Sequence, residues 1–346
     1  MTPRRLPSPR SLGRLAASTT LLGALVLAGC GVQDAQDALV GLRPAPTEQT
    51  AAAPLDAEGA TAVAARLLAA KDAAAAADPK DAKAAKAARA KVLTGDALTL
   101  ANAEAARSIT SGEATELAPE PAPTIVAQSQ GRQWPRAILA STLDEATNTQ
   151  WLHVMTSATP DQPFHIAASV PMFGGAELPA LGEKLAGAPL LKTADKNGLP
   201  VSPANAVKAY AAAVAQPKGK ATDVVLTDDQ FATGLRTAAA TQSKTLGALG
   251  TLSQTHSPRL DDAITFRLAD GGAVTFTMMQ RTDTFTPKPG AKELVLPAEY
   301  AKLVGAPKVT KSLVLNNLEP MVMVQPKTGQ AKVIGASDLL VSGRAR

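Results

Sequence analysis

The chain is 346 residues long, with 35 Lys+Arg against 30 Asp+Glu, a formal net charge of +5, 45% apolar residues, 3% aromatics and one cysteine. Length and apolar content suffice for about two domain-sized cores, although an alanine-heavy apolar set buries little area per residue. A single cysteine excludes a disulfide framework and thiolate metal clusters, and so few aromatics argue against a base-stacking nucleic-acid platform.

The first thirty residues read as an export leader. Arg4, Arg5, Arg10 and Arg14 form a basic start, and an apolar run from Leu15 to Leu27 follows. That run is short of the roughly 20 apolar residues of a membrane-spanning helix and suits the core of a secretory signal. The paired Arg4-Arg5 lacks the bulkier context of twin-arginine export, so general secretion is the expected route. The run ends in Leu27-Ala28-Gly29-Cys30, which resembles the lipobox of bacterial lipoproteins. In that family a transferase attaches diacylglycerol to the cysteine thiol and a peptidase cuts just before it. The resemblance implies a signal peptide over 1–29 and a lipid on Cys30 that holds the protein on the outer face of the cell membrane. Residues 1–29 hold four arginines and no acid, so the chain from Cys30 onward carries 31 basic and 30 acidic groups, net +1. The apparent basicity therefore leaves with the leader, and nucleic acid is not an expected partner.

Residues 30–56 are small and polar with Pro44, Pro46 and Pro54, and read as a flexible tether. Ala60, Val63, Ala64, Leu67 and Leu68 then fall on one helical face. Asp78-Pro79 reads as a helix start, an N-cap followed by proline at the first helical position. The segment DAKAAKAARAK has high helix propensity and almost no large apolar residue, as expected of a solvated face, with contact to anionic headgroups as the alternative. Strand-type runs follow at Arg136–Leu143, Gln150–Ser157 and Phe164–Val170, with Thr159–Pro163 as a hairpin loop. Pro171–Pro200 is rich in Gly and Pro and is expected to join two domains.

The second half opens with another cap-then-proline start at Ser202-Pro203 and a helical stripe of Val207, Tyr210, Ala211 and Val214. Thr227 is expected to cap the next helix. Ile264, Phe266 and Leu268 alternate, Asp270-Gly271-Gly272 turns, and Val274, Phe276 and Met278 alternate again, the clearest hairpin in the chain. Lys311–Leu315, Pro320–Gln325 and Ala331–Ala336 supply further strands.

The halves echo one another. LTGDALTLANAEAA (93–106) is similar to LTDDQFATGLRTAA (226–239), and HIAASV (165–170) to KVIGASD (332–338), each of the latter closing a hairpin whose first arm is WLHVM or MVMVQ. The expected fold is α+β: two similar domains, 57–185 and 200–346, each with helices followed by an antiparallel sheet. That order resembles the NTF2-like or cystatin-like cone, in which a sheet wraps a helix. The whole chain also resembles the uncharacterised secreted lipoproteins of high-GC actinobacteria (Streptomyces-type), with the lipobox as the one specific motif.

Catalytic templates are missing: no phosphate loop, no GxSxG, no CxxC and no HExxH. Asp228-Asp229 and Asp261-Asp262 are adjacent acids, which point apart on a helix or strand. A hairpin centred at residue 159 would set His153 opposite His165, half a metal site with Asp161 nearby; two partly exposed sheet histidines are the plainer reading, and no metal or cofactor is expected. The likeness to NTF2-like cones implies a pocket at the open end, for which Trp134, Trp151 and Phe164 are the candidate lining; core or rim positions are the plainer reading. Phe276, Met278 and Met279 are expected in the core, though a Met-rich face also accepts apolar ligands. The leading expectation is a non-enzymatic binding protein of the cell envelope, its partner an envelope protein or a cell-wall component. The alternatives are a carrier of a small apolar ligand and an NTF2-like isomerase or dehydratase.

Overall fold

Asp56 accepts the Gly59 N–H at 2.7 Å and opens helix α1, Ala57–Ala75. Of the expected stripe, Ala60, Ala64, Leu67 and Leu68 are buried and Val63 is half-buried. The computed structural model describes residues 52–77, 81–111, 121–182 and 186–346. Cys30 and its motif, most of the tether, and Asp78-Pro79 lie outside the described residues. Helix α2, Ala82–Ala90, is capped by Asp81 and buries Ala85 alone, so its lysines face solvent as the composition implies. Helix α3 spans Gly95–Ser111.

Strands β1 (Thr124–Gln128), β2 (Arg136–Asp144), β3 (Thr149–Ser157) and β4 (His165–Pro171) form an antiparallel meander in sequence order. After it, β5 (Leu190–Leu191) precedes helices α4 (Pro203–Val214) and α5 (Gln230–Leu246). Ser202 caps α4, with Pro203 in its first turn. The cap of α5 is Asp229, not Thr227 as expected: the Asp229 carboxylate takes the Ala232 N–H at 2.9 Å, whereas the Thr227 carbonyl accepts from Arg236. A carboxylate also complements the positive end of the helix better than a hydroxyl does.

The second sheet is built from β6 (Gly250–Arg267), β7 (Ala273–Pro287), β10 (Leu313–Gln325) and β11 (Lys332–Ala336), in the order β11-β10-β7-β6-β5, with β12 (Leu339–Ala345) also on β10. Strands β8 (Leu294–Val295) and β9 (Lys308–Val309) pair around helix α6, Ala298–Val304. The predicted runs 311–315 and 320–325 are one continuous strand. Pro320 sits inside it where the outer neighbour changes from β12 to β11, between the Leu318–Leu339 and Met321–Ala336 pairs. A residue without an N–H is tolerated at such a break.

Four layers result. One face of the first sheet packs on α1 and α3 through Ile125, Ile138, Met155 and Ile166. Its other face, with Leu139, Leu152 and Val154, packs on Phe266, Val274, Phe276 and Val322 of the second sheet. The far face of the second sheet lies under α4 and α5, where Val207, Tyr210, Leu235, Met279 and Met321 meet. The fold is α+β with antiparallel sheets.

The Pro171–Pro200 segment does more than link. Met172 bridges to Gly335, Ala188 bridges to Ser129, and β5 adds an edge to the second sheet. At Gly335 an added Cβ would lie 2.4 Å from the Pro171 carbonyl oxygen, so only glycine admits this crossing. Arg259 donates to Asp96 at 2.6 Å, and the Asp262 carboxylate lies 3.0–3.3 Å from where a Cβ on Gly95 would stand, in a residue with φ of +53°. Residues 57–185 and 200–346 thus share one core, and Gln49–Arg346 groups as one compact unit. Among the described residues no helix is long and apolar enough to cross a membrane.

Phe276 is 1% exposed and meets Phe266 edge-on at 6.4 Å. Phe276→Ala is expected to cost about 3–5 kcal/mol. Both tryptophans, Trp134 and Trp151, lie in the first half, so their fluorescence reports that half alone. In urea, fluorescence and circular dichroism midpoints are expected to fall together in the variant. A fluorescence midpoint left unchanged would show that the halves unfold separately.

Candidate functional site

The structure separates the residues singled out from the sequence. Trp134 donates from Nε1 to Ser157 Oγ at 3.4 Å and carries the Arg136 guanidinium 3.8 Å over its ring. Phe164 packs at the same end of the first sheet, against the helix-side core. Trp151 pairs with Thr142 and Pro171, six positions along β3 from Ser157, or about 20 Å. The three aromatics therefore do not line one pocket.

The histidine pair is likewise corrected. His153 lies opposite Ser169, and His165 lies opposite Thr156. Gln162 N–H bonds back to the Thr159 carbonyl, closing a turn with Pro160 second, the position its fixed φ favours. The hairpin therefore turns between Pro160 and Asp161, further along than residue 159, which sets His165 opposite Thr156, and a register shift between Val154 and Met155 moves His153 one position further, to Ser169. His153 is fully buried, with Nε2 2.9 Å from Thr142 Oγ1 and Nδ1 3.0 Å from Ser169 Oγ. Both ring nitrogens are taken up by hydroxyls, which adapt to either tautomer. Phe276 and Met279 belong to the two cores of the second sheet, and Met278 lines a void of about 20 Å³ beside Asp96, room for about one water. Among the described residues no group of three His, Cys, Asp or Glu side chains is placed to hold a metal ion.

A wider opening of about 380 Å³ lies where three segments meet: Phe173–Glu177, Asp228–Gln230 and Lys332–Ile334. Gly174 and Gly175 leave one rim without side chains. Glu177, Asp228 and Lys332 are exposed around it, so opposite charges face a common groove. Asp229 forms its inner wall. Besides capping α5, its carboxylate accepts the Tyr210 hydroxyl at 3.0 Å to each oxygen. Burial raises the Asp229 pKa, against the Ala232 N–H and the Tyr210 hydroxyl, which favour the charged form. Burial and the neighbouring carboxylates push the Tyr210 hydroxyl far above its ordinary range, so it stays a donor.

Behind Tyr210, under α4, the second sheet carries a layer of buried charge. His256 and Arg281 are cross-strand partners, as are Gln254 and Asp283, and Asn317 stands beside Arg281 on β10. Arg281 donates to Asp283 at 3.1 Å, to Glu319 at 2.9 Å and to Asp338 at 3.0 Å. His256 Nδ1 lies 2.8 Å from the second Glu319 oxygen, and Asn317 donates to Asp283 at 3.1 Å. An ionised carboxylate only accepts, so Nδ1 carries the proton. The Glu319 and His256 side chains are wholly buried, whereas that of Asp338 is 46% exposed and opens the network to solvent. Burial disfavours the Arg281 charge, but Asp283, Glu319 and Asp338 outweigh it and hold its pKa up. His256 Nε2, Asp283 Oδ1 and Gln254 Oε1 have no hydrogen-bond partner among the described residues. Each such atom carries a desolvation cost of about 1–3 kcal/mol.

Sequence reasoning passed over this network. The adjacent acids at 228–229 were visible, and one of them, Asp229, does serve a helix start. The charged layer was not, because its residues are spread from 254 to 338 and only strand pairing collects them.

Arg281→Met is expected to lower stability by about 3–5 kcal/mol, because it strands buried carboxylates. Burial holds the Asp283 pKa above its ordinary 3.8, with Arg281 opposing. A carboxylate with a raised folded-state pKa binds more protons folded than unfolded. Its stabilising share is therefore full below 3.8 and is lost as pH rises through the window above that value. In urea unfolding across the acid range, the loss of stability with rising pH is expected to be shallower in Asp283→Asn than in the wild type, with Asp229 keeping its own share; an equal or steeper loss in the variant would contradict the assignment.

The groove, the charged layer and its cover all fall within residues 128–343, which match the family model described as "Domain of unknown function (DUF8094)". No curated protein and no solved structure matches the chain. The match spans more than half of the 346 residues, and the chain belongs to the DUF8094 family.

Proposed function

We propose that this is a lipoprotein of the cell envelope, anchored on the outer face of the membrane through Cys30, that works by binding rather than by catalysis. The observation that carries the binding role is the groove bounded by Glu177, Asp228 and Lys332. Its inner wall is held by the Asp229–Tyr210 pair, so the charges around it stand on a rigid floor. Opposed charges around an open, polar groove suit an envelope protein segment or a cell-wall component that carries charge of its own. The anchor rests on Leu27-Ala28-Gly29-Cys30 alone. The tandem, cone-like origin rests on the internal echo and on the shared order of helices, then antiparallel sheet. An apolar carrier or an isomerase has less to rest on, since the void between the sheets and α3 admits about one water.

Crosslinking in intact cells tests the two parts separately. Cys30→Ala is expected to move the protein from the membrane to the soluble fraction. Asp228→Lys and Glu177→Lys, with Cys30 intact, are expected to leave it on the membrane and reduce partner capture by about tenfold. Undiminished capture by both charge swaps would exclude the groove, and membrane retention of Cys30→Ala would exclude the anchor.

A further inference from the structure

The registers of the second sheet collect one end of the molecule. Gly250 opens β6 opposite Pro287, and Leu313 opens β10 between Phe285 and Ala345. The end of α5, the β8–β9 pair and the last residues of β12 therefore meet there, over a small core of Leu294, Val309, Leu313 and Leu315. Its surface is basic. Lys244, Lys288, Lys292, Lys308 and Lys311 are all exposed, and Lys308 is paired at 2.5 Å with Glu293, one of the two acids of residues 287–312. Lys288 donates to the Gly247 carbonyl at 2.8 Å, which fixes a cation at the negative end of α5. Residues 287–312 alone hold five lysines and two glutamates, net +3, against +1 for the whole chain from Cys30 onward. That end thus carries a local excess of positive charge.

The same end carries exposed apolar side chains. Leu249 is 54% exposed and Val295 is 72% exposed, the two highest values among the exposed large apolar residues. Val295 pairs with Lys308, so an apolar and a basic side chain share one outward face, while Leu294 and Val309 point into the core. Leu249 precedes Gly250, whose α-carbon side faces Leu294 at 3.5 Å from an added Cβ. Cations ringing isolated aliphatic tips are the pattern of a surface that settles on anionic headgroups and dips a few side chains below them.

We propose that this end is a docking face for an anionic lipid bilayer, Val295 and Leu249 entering the headgroup layer and the lysines meeting phosphate. The inference deepens the anchored reading and rests on it for a reason to be near a membrane, but its test needs no lipid on Cys30. Charge complementarity favours a bilayer. Each lysine close to an anionic leaflet raises partitioning by roughly fivefold, and the field fades within a Debye length of about 10 Å at 0.1 M salt.

The single cysteine makes the test site-specific. In a full-length Cys30→Ser background, Val295→Cys is labelled with a polarity-sensitive dye, and Leu143→Cys, on an exposed residue of β2, serves as the reference. With vesicles of equal phosphatidylglycerol and phosphatidylcholine, the dye at 295 is expected to shift to the blue, and the dye at 143 to stay unshifted. The shift is expected to vanish with pure phosphatidylcholine and at 1 M salt. Lys288→Glu, Lys308→Glu and Lys311→Glu together are expected to weaken it by 100-fold or more, taken at roughly fivefold per lysine. Unchanged circular dichroism of that triple variant separates lost docking from lost fold. No shift at 295, an equal shift at 143, or a shift that survives the triple variant would overturn the proposal. So would a shift produced by soluble polyphosphate and not by vesicles, which assigns the face to a soluble polyanion. Because no variant carries a lipid, failure here leaves the Cys30 anchor untouched, and failure of the anchor leaves this result standing.

Discussion

The buried guanidinium of Arg281 sets the terms for the second sheet. Three strands place ionisable side chains on the face that α4 must cover, and a helix cannot pack over unneutralised carboxylates. Arg281 reaches Asp283, Glu319 and Asp338 at 2.9–3.1 Å, while His256 takes up the last Glu319 oxygen. With the charges paired, Met279, Met321 and Tyr210 can close the same face as an ordinary apolar core. Replacing the whole layer by aliphatic side chains is a different matter from removing one member, because only the latter strands a charge.

Tyr210 extends that constraint outward. Its ring belongs to the apolar core under α4, and its hydroxyl ends on Asp229, the residue that both starts α5 and walls the groove. The groove is therefore not a loose loop junction. One carboxylate serves the helix, the tyrosine and the opening at once, and Phe173 N–H bonds to Ile334 to tie the opposite rim to β11. Charge is distributed unevenly around this frame: acids gather at the groove and on the bulge of β6, lysines at the far end of the sheet. A local excess of lysines at one end favours the approach of that end to a negative surface.

The apolar half of the architecture was legible from the sequence. Helix α1, the hairpin arms at 264–268 and 274–278, and strands β2 to β4 declare themselves through apolar periodicity, and Ser202-Pro203 marks the start of α4. What escaped notice follows a pattern. The first half of β6 alternates faithfully, but its inward residues are Leu252, Gln254 and His256, so the alternation is not hydrophobic. The middle of β10 reads Asn-Asn-Leu-Glu, and Asn317 and Glu319 point inward. In both places the inward polar residues belong to the Arg281 layer, and the feature that hides the strands is the feature that defines the site. Strands β1 and β12 and helix α6 are short and owe their form to neighbours.

By itself, then, the sequence determined the α+β class and the main helices and hairpins, and it carries the lipobox-like Leu27-Ala28-Gly29-Cys30 on which the proposed anchor rests. Those are local properties, carried by side chains a few positions apart. Tertiary structure alone decided that the halves stack sheet to sheet, that His153 meets Ser169 rather than His165, and that Arg281, His256 and Glu319 share one buried layer. It also decided that five lysines and two aliphatic tips share one end. Register across strands fixes each of these. A displaced turn, as at Pro160-Asp161, or a register shift, as between Val154 and Met155, changes every pairing beyond it without altering the composition of either arm.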